Sequence, residues 1–362
     1  MPLIQAGEVI FLCSSSMVNW SEEFKVMSGN PLEFLSSVEE KMEYMKSKGY
    51  FNQIPDLKKE ELEMFECTNF HHLLGYIRQY NRLIEAGKIS GPFDLSQVLD
   101  IVRMDTRVTS LLQGYIREGE QAIRSAWVKA FCSECKSHGR EYSEYLNPSS
   151  YSPDTGITRV MMSHILRYRE PYVHEHIMRW WNLRVDTHPY LKGKSFTDLN
   201  NWDEADLRKK MQAELPLWSV VDSFSLGLLS RAVCQSRIPG VSDGRGGKDL
   251  ELYNETAKYL SMPSGDEFQH RMKSFCVLRN RISHGSRLWM MPETVAAKEP
   301  RAKIFEEALK NADSRGMLLS FANVALFQGS KDRRAAAWSR IYELVKENPL
   351  YYKFIGSEPI PW

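Results

Sequence analysis

The sequence predicts an all-α fold, on three observations. Apolar residues recur at three-and-four spacing through most of the chain. No convincing run of alternating apolar and polar residues marks a strand. The 362 residues, 43% hydrophobic and 26% charged, supply a core and lie far from disordered or collagen-like composition. The helical period breaks at Asn147-Pro148-Ser149-Ser150, near Asp186-Thr187-His188-Pro189, and in the glycine-rich stretch from Ile238 to Lys248.

Between Val108 and Phe131, residues Val108, Leu111, Leu112, Tyr115, Ile116, Ala122, Ile123, Trp127, Ala130 and Phe131 form one stripe, which predicts a long amphipathic helix. From Leu215 to Val233 apolar residues lie nearly all round the helical projection, Trp218, Val221, Phe224, Leu228 and Leu229 among them. That pattern predicts a central helix covered on several sides. Asp222 within it would be costly to bury unpaired and calls for a basic or donor partner.

A third helix is expected to open at Ser264-Gly265-Asp266-Glu267, with the spacing of a capping box, and to stop before Pro292. Its packing stripe is Phe268, Met272, Phe275, Leu278, Ile282, Gly285 and Trp289. Further helices are read around Ala302 to Leu309 and Arg333 to Val345, and the last ten residues read as a tail. No internal repeat is detected.

Lysine and arginine total 47 against 46 acidic residues, so there is no chain-wide positive field, and any attraction for a polyanion must come from a local patch. The N-terminus lacks a basic leader region and no apolar run is long enough to span a bilayer, so a cytoplasmic chain without a membrane partner is expected. Six cysteines in this length are read as reduced thiols.

Such a patch falls on the third helix. Between His270 and Pro292 there are five lysines or arginines and no acidic residue. Asn280 and His284 stand one turn apart, about 200° from Leu278 and Ile282, with Lys273, Cys276 and Arg287 near the same side. An imidazole can move protons and a guanidinium can hold phosphate oxygens, a pairing suited to phosphodiester cleavage. The same residues also fit a partly buried histidine beside a solvated basic face, and spacing alone leaves both readings open.

The sequence Leu278-Arg279-Asn280 with His284, Arg287, Leu288 and Trp289 resembles the signature of Abi-like abortive-infection proteins, and Arg279-Asn280 through His284 resembles the Arg-(four to six residues)-His motif of the HEPN superfamily. Other segments agree in order. His72 to Leu83, with Tyr76, Arg78 and Tyr80, is similar to the family's early helix, and Asp105 followed by Ile116, Glu120, Ala122 and Arg124 resembles a second segment. Leu215-Pro216-Leu217-Trp218, Asp222 and Ser225 to Ser230 resemble a third.

The resemblance implies a HEPN-like helical bundle with additional helices, strongest over residues 70–290. A HEPN helical domain is expected over 1–292 and a C-terminal helical extension, either separate or packed on the same domain, over 293–362. It implies a metal-independent endoribonuclease without cofactor, a toxin in antiphage defence, with Arg279, Asn280 and His284 catalytic. Lys273, Arg281 and Arg287 would bind substrate, while Glu120 and Arg124 would give structural support. The implied partners are RNA, a second copy completing a composite site, and an RNA or protein antitoxin. The alternatives are a non-catalytic RNA- or protein-binding module of a defence system and a structural partner in a larger assembly.

The chain departs from the family pattern at Asp105-Thr106-Arg107-Val108-Thr109, where an expected arginine is missing, and at Arg117 and Gly119, which replace residues commonly acidic and aliphatic. Weaker signals have plainer readings. Cys132, Cys135 and His138 lack a second paired cluster, their segment continues an amphipathic helix, and the cysteines are read as structural thiols. His174-Glu175-His176 has the wrong spacing for a zinc protease, and Asp243 to Lys248 lacks the spacing of a phosphate-binding loop. Glu120 and Arg124, one turn apart, are read as an ion pair.

Overall fold

The computed structural model describes residues 35–153, 155–196, 205–242, 247–262, 267–292, 297–300, 302–358 and 360. The chain divides into two compact units, Met1–Asp56 and Leu57–Trp362. In the first, helix α1 (Val38–Ser47) opens on a capping box: the Glu40 amide donates to Ser37 Oγ and the Ser37 amide to the Glu40 carboxylate.

The second unit is helical almost throughout. Short helix α2 (Lys59–Cys67) and α3 (Phe70–Glu85) lead to α4 (Leu95–Ser137), which is capped by Asp94 and, at 43 residues, about 65 Å long. Most of the stripe expected between Val108 and Phe131 is buried, with Leu111, Tyr115 and Ala122 half-buried, and it extends through Val98, Leu99 and Val102 at one end and Cys135 at the other. This helix is the spine against which many of the other elements pack.

Beyond two single 3₁₀ turns come α5 (Ile157–Arg167), α6 (Pro171–Asn182) and α7 (Ala205–Gln212). The expected central helix from Leu215 to Val233 is two helices. α8 (Leu217–Val220) passes into a 3₁₀ turn over Val221–Ser223, and α9 (Leu226–Gln235) starts afresh where Ser225 Oγ accepts from the Leu228 amide. Apolar residues all round a projection do not reveal a turn between two short helices. Trp218, read as central, is 62% exposed.

Two-residue strands β1 (Arg237–Ile238) and β2 (Leu250–Glu251) pair antiparallel across the expected break. Most of the Asp243 to Lys248 loop lies outside the described residues. Next come α10 (Leu252–Tyr259) and α11 (Phe268–Ser283); of the capping box expected over Ser264 to Glu267, all but Glu267 lies outside the described residues.

The C-terminal helices α12 (Lys303–Leu309), α13 (Met317–Leu326), α14 (Lys331–Lys346) and α15 (Pro349–Ile355) belong to the same unit. Sequence reading missed α13, whose ten residues are all buried. It is too apolar to show a stripe; of its polar members, Ser320 meets Ser274 at 3.1 Å and the Asn323 side-chain oxygen accepts from Arg271 at 3.0 Å. The expected tail begins within α15, where Phe354 and Ile355 are buried. Among the described residues no helix is long and apolar enough to cross a membrane.

Candidate active site

The Arg279–His284 segment is the last turn of α11 and its cap. Phe268, Met272, Phe275, Leu278 and Ile282 are buried as expected, which turns Asn280 and His284 outward, and both are exposed. The helix ends earlier than Pro292 implies because Gly285 adopts φ +63°, in the left-handed region. The Gly285 amide donates to Ile282 O and the Ser286 amide to Arg281 O, a Schellman closure that places His284 at the cap. Gly285 and Trp289 therefore lie off the helical stripe. Arg279 is half-buried, and its guanidinium donates to the Asn280 side-chain oxygen at 3.2 Å.

Arg279, Ile282 and Ser283 form one wall of a groove of about 410 Å³, and α4 forms the other with Ser110, Gln113, Gly114, Ile116, Arg117 and Glu120. Close approach of the helices at this level depends on Gly119: a Cβ there would lie 3.2 Å from the Phe275 ring. Glu120 is neutralised by Arg124 at 2.7 Å. Arg117 is exposed and makes no ion pair among the described residues, so the groove keeps two guanidiniums, from Arg279 and Arg117. Nothing in the sequence reading gave Arg117 a role. The signal was there in its replacement of a commonly acidic residue.

The basic patch is smaller than sequence reading implies. Arg271 is buried, paired with Glu267 at 2.7 Å and donating to Lys298 O, Glu299 O and Asn323. Arg281 donates to Pro292 O at 2.5 Å. Arg287, expected beside His284, turns inward instead: its guanidinium donates to Gly75 O and lies 5.5 Å from the Tyr76 ring centre. A helical projection holds only while the helix continues, and Arg287 follows the turn at Gly285. Lys273 is exposed two turns before Asn280 and makes no ion pair among the described residues.

Beneath this turn lies a buried carboxylate. Asp105 on α4 accepts from the hydroxyls of Tyr76 on α3 and Tyr351 on α15, each at 2.5 Å, and from the Leu288 amide at 2.9 Å. Burial raises its pKa, outweighing the opposite pull of these donors. Burial likewise raises the Tyr76 and Tyr351 hydroxyls, so they stay protonated and donate. Trp289, stacked on Tyr76 at 6.4 Å between ring centres, completes the cluster. Three elements, α3, α4 and α15, are thus fastened to the segment that follows His284.

Glu120 and Arg124 act as a clamp. The buried Arg124 guanidinium reaches Glu120, lies 3.5 Å from Asp222 and donates to Phe224 O at 2.9 Å. Asp222, expected to need a partner against burial, is exposed instead, and Arg124 fixes the turn between α8 and α9 through its bond to Phe224 O. Cys276, on the motif's helix, has its thiol pushed up to about 11 by burial, and nearby Cys234 to about 12. Both are protonated thiols, poor as nucleophiles. Cys135 is likewise buried, its thiol pushed up to about 12, while His138 meets Glu134 O and Ser137. Among the described residues no three metal-ligating side chains gather.

These features define a class of protein: an all-α unit in which an Arg-Asn-x-x-x-His helix end is locked from below to a buried aspartate. The family model for Abi-like proteins matches residues 63–290, more than half of the chain, and the chain belongs to that family. No curated protein and no solved structure matches it. The match takes in Tyr76, Asp105, Glu120, Arg124, Asp222, Arg279, His284 and Arg287, while Tyr351 falls outside it. Membership points to a role in abortive infection, a defence function.

Proposed function

We propose that the chain is a metal-independent endoribonuclease of the HEPN type, acting as a toxin in abortive infection. One observation carries the reading: Asn280 and His284 stand exposed on one face of a helix end with Arg279 beside them, while the neighbouring Arg281 and Arg287 are engaged within the chain. In the reaction a ribose 2′-oxygen attacks the adjacent phosphorus. The bond from phosphorus to the 5′-oxygen breaks, leaving a 2′,3′-cyclic phosphate and a free 5′-hydroxyl. One proton must leave the 2′-hydroxyl and another must reach the departing 5′-oxygen.

His284 moves one of these protons, Arg279 neutralises charge developing on the phosphorane, Asn280 orients the group, and Lys273 contributes long-range attraction for the strand. A single imidazole serves one side of the phosphorus, so a second copy of the chain supplies the other. The exposure of His284 supports such a homodimer. DNA, without the 2′-hydroxyl, is left uncut. A cytoplasmic toxin of this kind needs restraint by an antitoxin, RNA or protein.

Purified protein, wild type and His284→Ala, incubated with RNA in EDTA tests the reading. Wild type is expected to leave 2′,3′-cyclic phosphate ends, and the variant to lose about 100-fold or more in rate. Equal bacterial growth on expressing either protein, with no cleavage by wild type, rejects it. Tight RNA binding without cyclic phosphate would leave a non-catalytic binding module.

A further inference from the structure

The groove at Arg279 does not end there. Arg117 also lines a second depression of about 610 Å³, with Glu118, Gln121, Ser125, Lys129, Tyr259 and Arg333 among its walls. A third, of about 520 Å³, shares Gln121, Ser125 and Lys129 and ends at Cys132, Trp218 and Asp222. The three depressions adjoin at shared residues and follow one another along the exposed face of α4, from Ser110 to Ser133, over about 35 Å, and we read them as one channel.

Its charge is net positive. Glu118 pairs with Arg333 at 2.8 Å and Glu120 with Arg124 at 2.7 Å, while Asp222, 3.5 Å from that same guanidinium, leaves one negative charge at the Trp218 end. Against it, Arg279, Arg117 and Lys129 remain as cations spaced along the channel. Flat apolar faces stand between and beyond them. Tyr259 is 37% exposed beneath the Lys129 ammonium, which lies 4.4 Å from its ring centre. At the far end Trp218, 62% exposed, stacks on Tyr172, 52% exposed, with ring centres 6.3 Å apart and planes 21° apart. Cations along the channel and the exposed Trp218 ring at its end fit a single nucleic-acid strand, whose phosphates meet the cations while a base stacks on the ring.

We propose that this channel carries single-stranded RNA into the Arg279–His284 site, with Arg117 and Lys129 as phosphate-binding residues and Trp218 as a base platform at its far end. The proposal rests on the ribonuclease reading for its destination. The RNA-binding claim stands by itself.

The test uses the full chain carrying His284→Ala, with labelled RNAs of about twelve and about three nucleotides, read by fluorescence anisotropy over a salt series. Trp218→Ala is expected to weaken the longer RNA about tenfold and to leave the shorter one unchanged, because only the longer spans the channel. Arg117→Ala with Lys129→Ala should lower the slope of log affinity against log salt by about 1.4, while Arg117→Lys keeps its share and Arg340→Ala, away from the channel, changes nothing. Equal losses on both RNAs, or none, overturn the channel. Wild type that binds through these residues but leaves RNA intact rejects the ribonuclease reading and keeps the channel. Wild type that cuts RNA, with the three substitutions fully active, does the reverse.

Discussion

Asp105 shows how one side chain decides the local structure. Asp105→Ala would strand two tyrosine hydroxyls and the Leu288 amide without an acceptor, at about 1–3 kcal/mol each. The expected loss of stability is at least about 3 kcal/mol by urea denaturation, and Asp105→Asn, which keeps an acceptor, should lose less. The pH dependence has a definite sign. Because burial raises this carboxyl above its ordinary value, the folded chain holds the proton more tightly than the unfolded chain, and this contribution to stability falls as pH rises from about 4. Asp105→Asn cannot titrate and should lack that decline. Superimposable profiles of urea midpoint against pH for the two proteins would refute it. Tyr76, Asp105, Arg287 and Trp289 were each legible in the sequence as family residues. That they converge was not, because residue types carry no record of which side chains meet across 183 residues of chain.

At the scale of an element, the end of α11 depends on a single backbone conformation. Gly285→Ala forces a Cβ into the left-handed region and is expected to cost about 1 kcal/mol, with Gly285→Asn milder. Equilibrium unfolding of the two variants measures this, and equal stability of Gly285→Ala and wild type would contradict it. The helix itself was legible because its stripe is regular and its outer face polar. Its stop was misplaced: Pro292 is the louder signal, but the glycine acts first. The two-helix nature of Leu215 to Val233 was hidden for a related reason. Ser225 is an N-cap residue embedded in apolar sequence, where periodicity drowns the cap.

For the whole molecule, the similarity to Abi-like proteins stops at residue 290 while the core continues. Phe327, at the end of α13, packs edge-on against Phe268 and Phe275 of α11, with ring centres 5.8 and 5.0 Å apart. Arg271 finds acceptors in Lys298, Glu299 and Asn323. A chain cut after Pro292 is expected to lose its cooperative thermal transition and bind a hydrophobic dye, and a sharp melt like that of the full chain would disprove the dependence. The last seventy residues lie beyond the family resemblance and so carried no role in the sequence, and α13 went unread because it is apolar on every side. Helix content throughout the unit was legible from periodicity. The joining of its C-terminal part to the site was not.

The hydroxyl of Tyr351 reaches Asp105 across 246 positions of chain, and the Leu288 amide does so across 183. Loop closures of that span are entropically expensive and slow, so local helices form well before these two hydrogen bonds can. The turn bearing His284 is accordingly fixed only at a late step of folding, and a half-folded intermediate would hold its imidazole in no fixed place.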